Sequence, residues 1–319
     1  MQPGASQPPF SIDGYELSQL LGRGGMGEVY LANRLNATGV PVPCVIKTII
    51  ENVQSGAMDM QEVFLDEARI CSQLRHPNIV SIMDVGRATD RLYLTLEWID
   101  GIDGAGLIKL GKKRKRGVPF KHVLYVVRET LKGLHYAHTA VGPDGQKLNI
   151  VHRDISPGNI LISRQGAVKL ADFGVALGRA AQNKASQEMF AGKPGYIPPE
   201  VWRGEPASVR SDIFAMGVTL YELMTSRPLF KFKGDMSALI VQIAQFDPNK
   251  LVEESLTLPD GIEHILINSL SPNPDNRYES ALEFLEDVND FCYETGIRLL
   301  DAHFASFIER MVAFRDQEK

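Results

Sequence analysis

The chain has 319 residues and a net charge of −5, and its 44% hydrophobic content is typical of a globular protein with a sizeable core. The negative charge argues against a nucleic-acid-binding protein, which usually carries a basic excess. No apolar run approaches the roughly 20 residues that span a bilayer, so no membrane span is expected. The three cysteines, Cys44, Cys71 and Cys292, lack metal-ligand spacing, which indicates reduced thiols and a cytoplasmic location.

The first segment of the chain is predicted to be a flexible tail. Residues 1–14 are rich in Pro, Gln, Ser and Gly. They lack the basic start and the apolar stretch of a signal peptide. We therefore expect regular structure to begin near Tyr15.

A glycine-rich hairpin is the first motif that suggests chemistry. Gly22, Gly24 and Gly27 have G-x-G-x-x-G spacing and are flanked by alternating apolar residues, which predicts a β-hairpin with a glycine tip. Such a tip can close over phosphates because no Cβ intervenes. A dinucleotide-binding fingerprint has the same spacing, but it needs a helix that begins inside the glycines. Here residues 29–31 continue as a strand, and a purely structural turn remains the other interpretation.

A lysine in an apolar strand and a glutamate on the following helix form the second feature. Residues 42–50 are apolar except for Lys47 and its neighbour Thr48, and a lone lysine there would normally keep its head in water. Residues 64–74 have apolar side chains at helical spacing, and Glu67 lies close to that stripe. A Lys47–Glu67 pair would hold the lysine over the α- and β-phosphates of a nucleotide.

Two further predicted strands, over residues 79–84 and 92–99, complete a small, mainly β lobe. We expect this lobe to end near Ile99 in a hinge to a larger lobe. Glu97 and Ile99 would offer backbone groups to an adenine edge. Asp103 is placed to meet a ribose hydroxyl.

A run of five cations, Lys112 to Arg116, follows. The ordinary interpretation of such a run is a solvated loop. The functional alternative is a docking patch for an acidic substrate or partner. A long amphipathic helix is then predicted over residues 120–138.

The stretch VHRDISPGNILI, residues 151–162, predicts a strand, a tight loop and a second strand. The loop holds Asp154 and, five residues later, Asn159. This arrangement suits phosphoryl transfer, in which a carboxylate receives or orients the hydroxyl proton and an amide oxygen holds a divalent metal. Asp172 ends the next apolar strand before Phe173 and Gly174, which suits a second metal ligand on a movable loop.

The remainder of the chain is predicted to be helical. A buried helix is expected over residues 211–225 and further helices over 237–246, 262–270 and 281–291. A terminal helix is expected over residues 299–314, and its apolar stripe either packs on the large lobe or forms a dimer or partner contact.

In this order, the motifs resemble those of the eukaryotic-like protein kinase family. The glycine loop, strand lysine, helix glutamate, HRD with Asn, DFG, and a PPE in place of APE cover residues 15–291. The wording GRGGMGEVY and SPGN looks most like bacterial Ser/Thr protein kinases. The resemblance implies an α+β, two-lobed fold, with a small antiparallel β lobe carrying one key helix (15–99), a larger mainly helical lobe (100–291) and a helical extension (292–319).

The resemblance also implies ATP with Mg²⁺ or Mn²⁺ as cofactors and assigns roles to individual residues. Asp154 would be the catalytic base, Asn159 and Asp172 the metal ligands, and Lys47 with Glu67 the phosphate-binding pair. Glu200 would pair with Arg277, and Asp212 would brace the catalytic loop. The nucleotide would contact Leu21, Gly22, Gly24, Gly27, Val29, Val45, Lys47, Glu97, Ile99, Asp103 and Leu161.

Arg153, which precedes the catalytic base, is typical of kinases that are switched by phosphorylation. Ser186 is the candidate phosphorylation site, and the rival interpretation is an ordinary exposed serine.

Two residues depart from the pattern of Ser/Thr kinases. Ser156 stands where the family has Lys, and Lys193 stands where the family has Thr. In the family these side chains meet beside the catalytic base, so the cation and the hydroxyl have traded places. We expect Lys193 to supply the charge that screens the γ-phosphate and Ser156 to supply the hydroxyl. The alternative is a Lys193 side chain that points to solvent.

The implied function is a protein Ser/Thr kinase in bacterial-type signalling. Its partners would be protein substrates and, for trans-autophosphorylation, a second copy of the chain. A pseudokinase that scaffolds or senses nucleotide is the alternative, although it usually lacks the lysine or one of the two catalytic aspartates, all of which are present. A small-molecule phosphotransferase of similar fold is a third possibility, disfavoured by the PPE segment.

Overall fold

The structure is a computed structural model that describes residues 10–24, 27–49, 68–88, 91–173, 193–254 and 258–317. Glu67 and Ser186 lie outside these residues. The chain divides into two compact units. The N-terminal unit holds the described residues up to Arg75 together with Val80–Ile99, and the C-terminal unit holds His76–Ile79 and the described residues from Asp100 onward.

A six-stranded antiparallel sheet forms the N-terminal unit, in the spatial order β1-β2-β3-β4-β6-β5. In the predicted glycine-rich hairpin, Gly24 pairs with Gly27 at the tip and Gly22 pairs with Val29. The strands are β1 (Phe10–Ile12), β2 (Tyr15–Gly24), β3 (Gly27–Leu35), β4 (Pro41–Ile49), β5 (Ile82–Ala88) and β6 (Arg91–Glu97).

Strand β1 corrects the predicted tail over residues 1–14 in its last part, residues 10–14, while residues 1–9 lie outside the described residues. Phe10–Ile12 pairs with β2, with Ile12 opposite Tyr15. The Tyr93 hydroxyl donates a 2.6 Å hydrogen bond to Asp13 in the β1–β2 turn. The rings of Tyr15 and Tyr93 meet edge to face with centroids 6.0 Å apart. These tertiary contacts order a segment whose composition alone favours a coil.

Helices dominate the C-terminal unit, and a small sheet in the order β7-β8-β9 carries the predicted catalytic loop. The strands are β7 (Gly101–Asp103), β8 (Ile160–Ser163) and β9 (Val168–Leu170). The helices are α1 (Gly104–Lys113), α2 (Phe120–Thr139), α3 (Pro199–Trp202), α4 (Val209–Thr225), α5 (Met236–Ala244), α6 (Pro248–Glu254), α7 (Glu263–Leu270), α8 (Ala281–Glu294) and α9 (Asp301–Asp316). Among these helices, none is both long and apolar enough to cross a bilayer.

Helix α4 is the buried helix that was predicted over residues 211–225, and it begins two residues earlier. Ser208 caps its N-terminus by accepting the Arg210 N–H at 3.2 Å, and the Ser211 hydroxyl oxygen accepts the Ser208 N–H in return. This reciprocal cap satisfies backbone donors that the first turn leaves unpaired. The cap also places Asp212 in the first turn, where it is 1% exposed.

The terminal helix α9 packs its apolar face on α2, as one of the two interpretations of its stripe predicts. Phe304 stacks on Tyr125 at 4.1 Å between ring centroids, and Phe307 stacks on His122 at 4.2 Å. The C-terminal end of α9 is held by Arg164, which forms ion pairs with Asp316 and with Asp100. Helix α9 is therefore part of the core of the C-terminal unit.

Replacing Gly166 by alanine is expected to weaken the docking of α9 on the β8–β9 turn. Gly166 has φ +85°, and an added Cβ would lie 3.0 Å from Ala305 Cα. The matched control is Gly145→Ala, because Gly145 has φ +79° but no atom within 4 Å of an added Cβ. Backbone strain alone costs about 1–2 kcal/mol. We expect Gly166→Ala to lower the free energy of unfolding by about 1 kcal/mol more than the control, as measured by urea denaturation. Equal losses would show that α9 does not press on this turn.

Candidate active site

The catalytic loop is held by the buried carboxylate of Asp212. Its Oδ2 atom accepts the His152 N–H and its Oδ1 atom accepts the Arg153 N–H, each at 2.8 Å. His138 Nε2 lies 2.8 Å from Oδ2. Burial alone would raise the pKa of Asp212, but the hydrogen bonds of His138 and His152 outweigh it and hold this pKa below its ordinary value. The ionised carboxylate thus fixes two successive backbone N–H groups of the loop, including that of Arg153 at φ +68°.

His152 connects the catalytic loop to the chain that leads to Asp172. The Asp154 N–H donates to His152 Nδ1 at 3.2 Å, so Nδ1 is the unprotonated nitrogen. Nε2 therefore carries the proton and donates to the Ala171 carbonyl at 3.0 Å. Burial lowers the pKa of His152, which agrees with a neutral ring. The Phe173 ring packs against it with centroids 4.5 Å apart.

Asp154 and Asn159 are joined directly. Asn159 Nδ2 donates to the backbone oxygen of Asp154 at 2.6 Å and to its Oδ2 atom at 2.7 Å. A single 3₁₀ turn, Pro157–Asn159, sets this approach. No partner of Asp154 Oδ1 occurs among the described residues, so this oxygen is available to accept a proton.

Lys193 and Ser156 meet beside Asp154. Lys193 Nζ lies 2.7 Å from Ser156 Oγ, 3.1 Å from Asn159 Oδ1 and 3.5 Å from Asp154 Oδ2. Ser156 is 1% exposed, while 31% of the Lys193 side chain remains accessible. The interpretation in which Lys193 points to solvent is therefore wrong, and a cation stands next to the predicted catalytic base.

The predicted metal ligands offer oxygen atoms, which suit Mg²⁺ or Mn²⁺. Asp172 is exposed and has φ +58°. Asn159 Oδ1 faces Lys193 at 3.1 Å. No group of three or more His, Cys, Asp or Glu residues suited to a metal occurs within the described ranges. Mg²⁺ commonly uses one or two protein carboxylates together with water and nucleotide phosphates. The Asp172 carboxylate fits this pattern, and Asn159 Oδ1 would share its two lone pairs between the metal and the Lys193 ammonium group.

The predicted nucleotide contacts of the N-terminal unit lie on adjacent strands. Val29 on β3 pairs with Lys47 on β4, and Val45 lies two residues before Lys47 on the same strand. At the end of β6, the N–H of Glu97 donates to the Ser81 carbonyl at 3.1 Å and its carboxylate accepts the Ser81 N–H. The N–H of Glu97 therefore already has a partner within the N-terminal unit. Leu21 is 39% exposed on β2 near the glycine tip.

Asp103 and Leu161 are the predicted nucleotide contacts of the C-terminal unit, and they pair across β7 and β8. The Asp103 carboxylate already accepts the Gly106 N–H at 2.6 Å and so caps α1. Its predicted ribose contact would share this carboxylate with the helix cap.

The segment that follows the predicted phosphorylation site is anchored by the Glu200–Arg277 ion pair that the family resemblance implies. Arg277 donates to both carboxylate oxygens of Glu200, at 2.7 and 2.8 Å, and both side chains are buried. The Ser211 hydroxyl also donates to Glu200. Burial raises the pKa of Glu200, but Arg277 outweighs this effect and lowers it overall.

Sequence reasoning missed the contact between Tyr196 and Glu222. The Tyr196 hydroxyl donates to Glu222 Oε2 at 2.6 Å. This bond ties the segment after Lys193 to helix α4. The available signal was the acidic residue Glu222 on the otherwise apolar stretch of α4, because a partly buried carboxylate is stabilised by a hydrogen-bond donor.

Comparison with known proteins agrees with this fold. The family described as "Protein kinase domain" matches residues 15–288. The tyrosine-protein kinase MasK of Myxococcus xanthus is 36% identical over 282 residues, which are 88% of this chain and 43% of that protein. The serine/threonine-protein kinase PknB of Mycobacterium leprae is 29% identical over 286 residues, again 88% of this chain and 43% of that protein.

Solved structures show the same fold. The crystal structure of the Mycobacterium tuberculosis PknI kinase domain covers 90% of this chain and 99% of its own, with a TM-score of 0.64 and 24% identity. The chain has the protein kinase fold. It belongs to the eukaryotic-like protein kinase family, as the motifs predict. It spans about two fifths of the length of the curated relatives named above.

Proposed function

We propose that this chain is a protein kinase that transfers the γ-phosphoryl group of ATP to serine and threonine hydroxyls, on protein substrates and on a second copy of itself. The observation that carries the proposal is the cluster in which Lys193 and Asn159 both contact the Asp154 carboxylate. Family membership supports the same chemistry. A cytoplasmic location remains part of the proposal.

Each residue of the site has a separate role in phosphoryl transfer, which follows from its charge and its position. Asp154 accepts the hydroxyl proton at Oδ1, while the Asn159 amide holds Oδ2 in place. Lys193 provides positive charge where negative charge is redistributed in phosphoryl transfer. Asn159 and Asp172 would hold Mg²⁺ or Mn²⁺, which neutralises phosphate charge when bound. Lys47, with Glu67, would bind the α- and β-phosphates.

Serine and threonine specificity is the finer part of the proposal. The PknB relatives carry that name, whereas MasK is named a tyrosine kinase. Ser156 removes the lysine that usually marks Ser/Thr kinases. The Lys193–Ser156 contact supports the Ser/Thr assignment, because it places a cation and a hydroxyl together beside Asp154, as the lysine and threonine of Ser/Thr kinases are placed.

Labelling with ATP tests the proposal. The purified chain is incubated with γ-labelled ATP and Mg²⁺, with general protein substrates and without them, and phosphoamino acids are identified after hydrolysis. We expect label on serine and threonine, and none after removal of the metal with EDTA. Label on tyrosine alone would contradict the specificity. ATP binding without any label would favour the pseudokinase alternative.

A further inference from the structure

A dense positive charge lies at the end of helix α1. The basic cluster consists of Lys112, Lys113, Arg114, Lys115 and Arg116, all of which are exposed. The net charge of the whole chain is −5 with these five cations included, so the rest of the chain is strongly acidic. The basic cluster is therefore a local positive charge on a chain whose net charge is negative.

The backbone holds the basic cluster in one arrangement. The Arg114 N–H donates to the Leu110 carbonyl at 3.0 Å, and the Arg116 N–H donates to the Gly111 carbonyl at 3.3 Å. Lys115 adopts a left-handed conformation with φ +54°. The Arg114 guanidinium lies over the Phe314 ring of α9, 5.6 Å from its centroid. These contacts make the cluster an ordered turn rather than a loose chain of charges.

Within the part of the chain that the structure describes, Lys112, Lys115 and Arg116 form no ion pair. Adjacent like charges repel one another and so disfavour the compact state. Lys112 lies in the last turn of α1, where the helix dipole favours a cation. Lys115 and Arg116 follow the helix, and no ion pair with a described residue accounts for their charges. An anionic partner would supply the missing countercharge.

The basic cluster continues into a turn that lies against the end of helix α4, where a Cβ added to Gly117 would come within 3.9 Å of the Ser226 hydroxyl. Burial raises the pKa of Glu222, and the Tyr196 hydroxyl, the Leu229 N–H and the charge of Lys112 oppose that rise. Glu222, on the same helix, accepts the Tyr196 hydroxyl. Tyr196 follows Lys193, whose ammonium group contacts Asp154. The basic cluster and the predicted catalytic base therefore lie in the same unit, and helix α4 with the segment from Lys193 to Tyr196 lies between them in this series of contacts.

We propose that the basic cluster docks an acidic segment of the protein substrate and so selects acidic substrates for phosphorylation. This inference rests on the proposed function. A peptide fits the observations better than a nucleic acid or a membrane, because the remaining strongly acidic surface would repel an extended polyanion. A short acidic segment needs to meet only one turn of the chain.

Two peptides and two charge-matched variants test the docking. The peptides share the acceptor hydroxyl found by labelling and differ in a flanking run of glutamates or glutamines. Lys115→Asn/Arg116→Gln removes two cations of the cluster, and asparagine tolerates the left-handed backbone. We expect kcat/KM for the acidic peptide to fall about 3- to 10-fold, the effect of losing one or two exposed ion pairs. For the neutral peptide kcat/KM should not change.

The control is Lys147→Gln/Lys250→Gln, which removes two exposed cations from a turn and from helix α6. An equal loss in the control, or equal use of both peptides by the wild type, would overturn the docking. Binding of the acidic peptide is also measured by fluorescence anisotropy without ATP. A chain that binds this peptide through the basic cluster but shows no kinase activity would contradict the proposed function and not the docking. Tighter binding of a charge-matched DNA duplex through the same residues would assign the cluster to nucleic acid and overturn the proposal.

Discussion

Replacing Arg277 by methionine is expected to cost about 3–5 kcal/mol in the free energy of unfolding at neutral pH, because it leaves the buried Glu200 carboxylate without its cation. Arg277 also donates to the carbonyls of Ser271 and Arg210, and its guanidinium lies over the Phe214 ring. Denaturation in urea, followed by circular dichroism, measures the loss.

The pH dependence of this loss distinguishes the ion pair from simple packing. In the wild type the pKa of Glu200 lies below its ordinary value of 4.5. The ionised Glu200 carboxylate therefore stabilises the folded state fully above pH 4.5, and this contribution is lost as the pH falls through the lowered pKa. In Arg277→Met, burial is expected to raise the pKa of Glu200 above 4.5. The native variant then binds a proton that the unfolded chain lacks, and its stability rises as the pH falls through the raised pKa. The difference in the free energy of unfolding between the wild type and Arg277→Met should therefore become smaller from pH 7 towards pH 5.

The double variant Glu200→Gln/Arg277→Met is the control for this prediction. It removes both charges, so it should be more stable at pH 7 than Arg277→Met alone. Two results together would contradict this explanation: a double variant that is as unstable as Arg277→Met, and a stability difference between wild type and Arg277→Met that does not depend on pH. The lost stability would then reflect packing around Phe214 and not the buried carboxylate.

Local motifs of the catalytic loop were predictable because their geometry is set within a few residues. Asp154 and Asn159 are five residues apart, and one 3₁₀ turn brings the amide to the carboxylate. The meeting of Lys193 with Ser156, 37 residues apart, came from the family pattern. Neither spacing nor composition would have predicted it.

Elements that depend on tertiary contacts were predicted less well. Helix α1 was missed because Gly104, Gly106 and Gly111 lower its propensity. A Cβ on Gly104 would lie 2.7 Å from the Pro157 carbonyl oxygen, so close approach to the catalytic loop excludes a larger residue there. The strand predicted over residues 79–84 begins only at Ile82, because Ile79 forms its bridge with Leu170 of β9 instead.

Replacing Lys193 by alanine is expected to lower kcat about 100-fold, with a much smaller change in the KM for ATP. The ammonium group lies 3.5 Å from Asp154 Oδ2 and 2.7 Å from the buried Ser156 hydroxyl, so it is held in place before any substrate binds. A fixed charge of this kind stabilises the transition state without reorganisation, and removal of one such group typically costs 10²–10³-fold in rate. Steady-state kinetics separates kcat from KM.

The exchange Ser156→Lys/Lys193→Thr tests whether the charge or the residue position matters. It restores the arrangement that is usual among Ser/Thr kinases, with the cation on the catalytic loop and the hydroxyl on the later segment. If the two side chains have traded places without a change in chemistry, this variant should recover most of the activity that Lys193→Ala loses, while Ser156→Lys alone should place two cations together and remain impaired. A loss below about tenfold in Lys193→Ala, equivalent to about 1.4 kcal/mol, would contradict the relocation. So would a full loss that the exchange does not recover, because Lys193 would then act through its own position on the chain and not through the charge that it brings to Asp154.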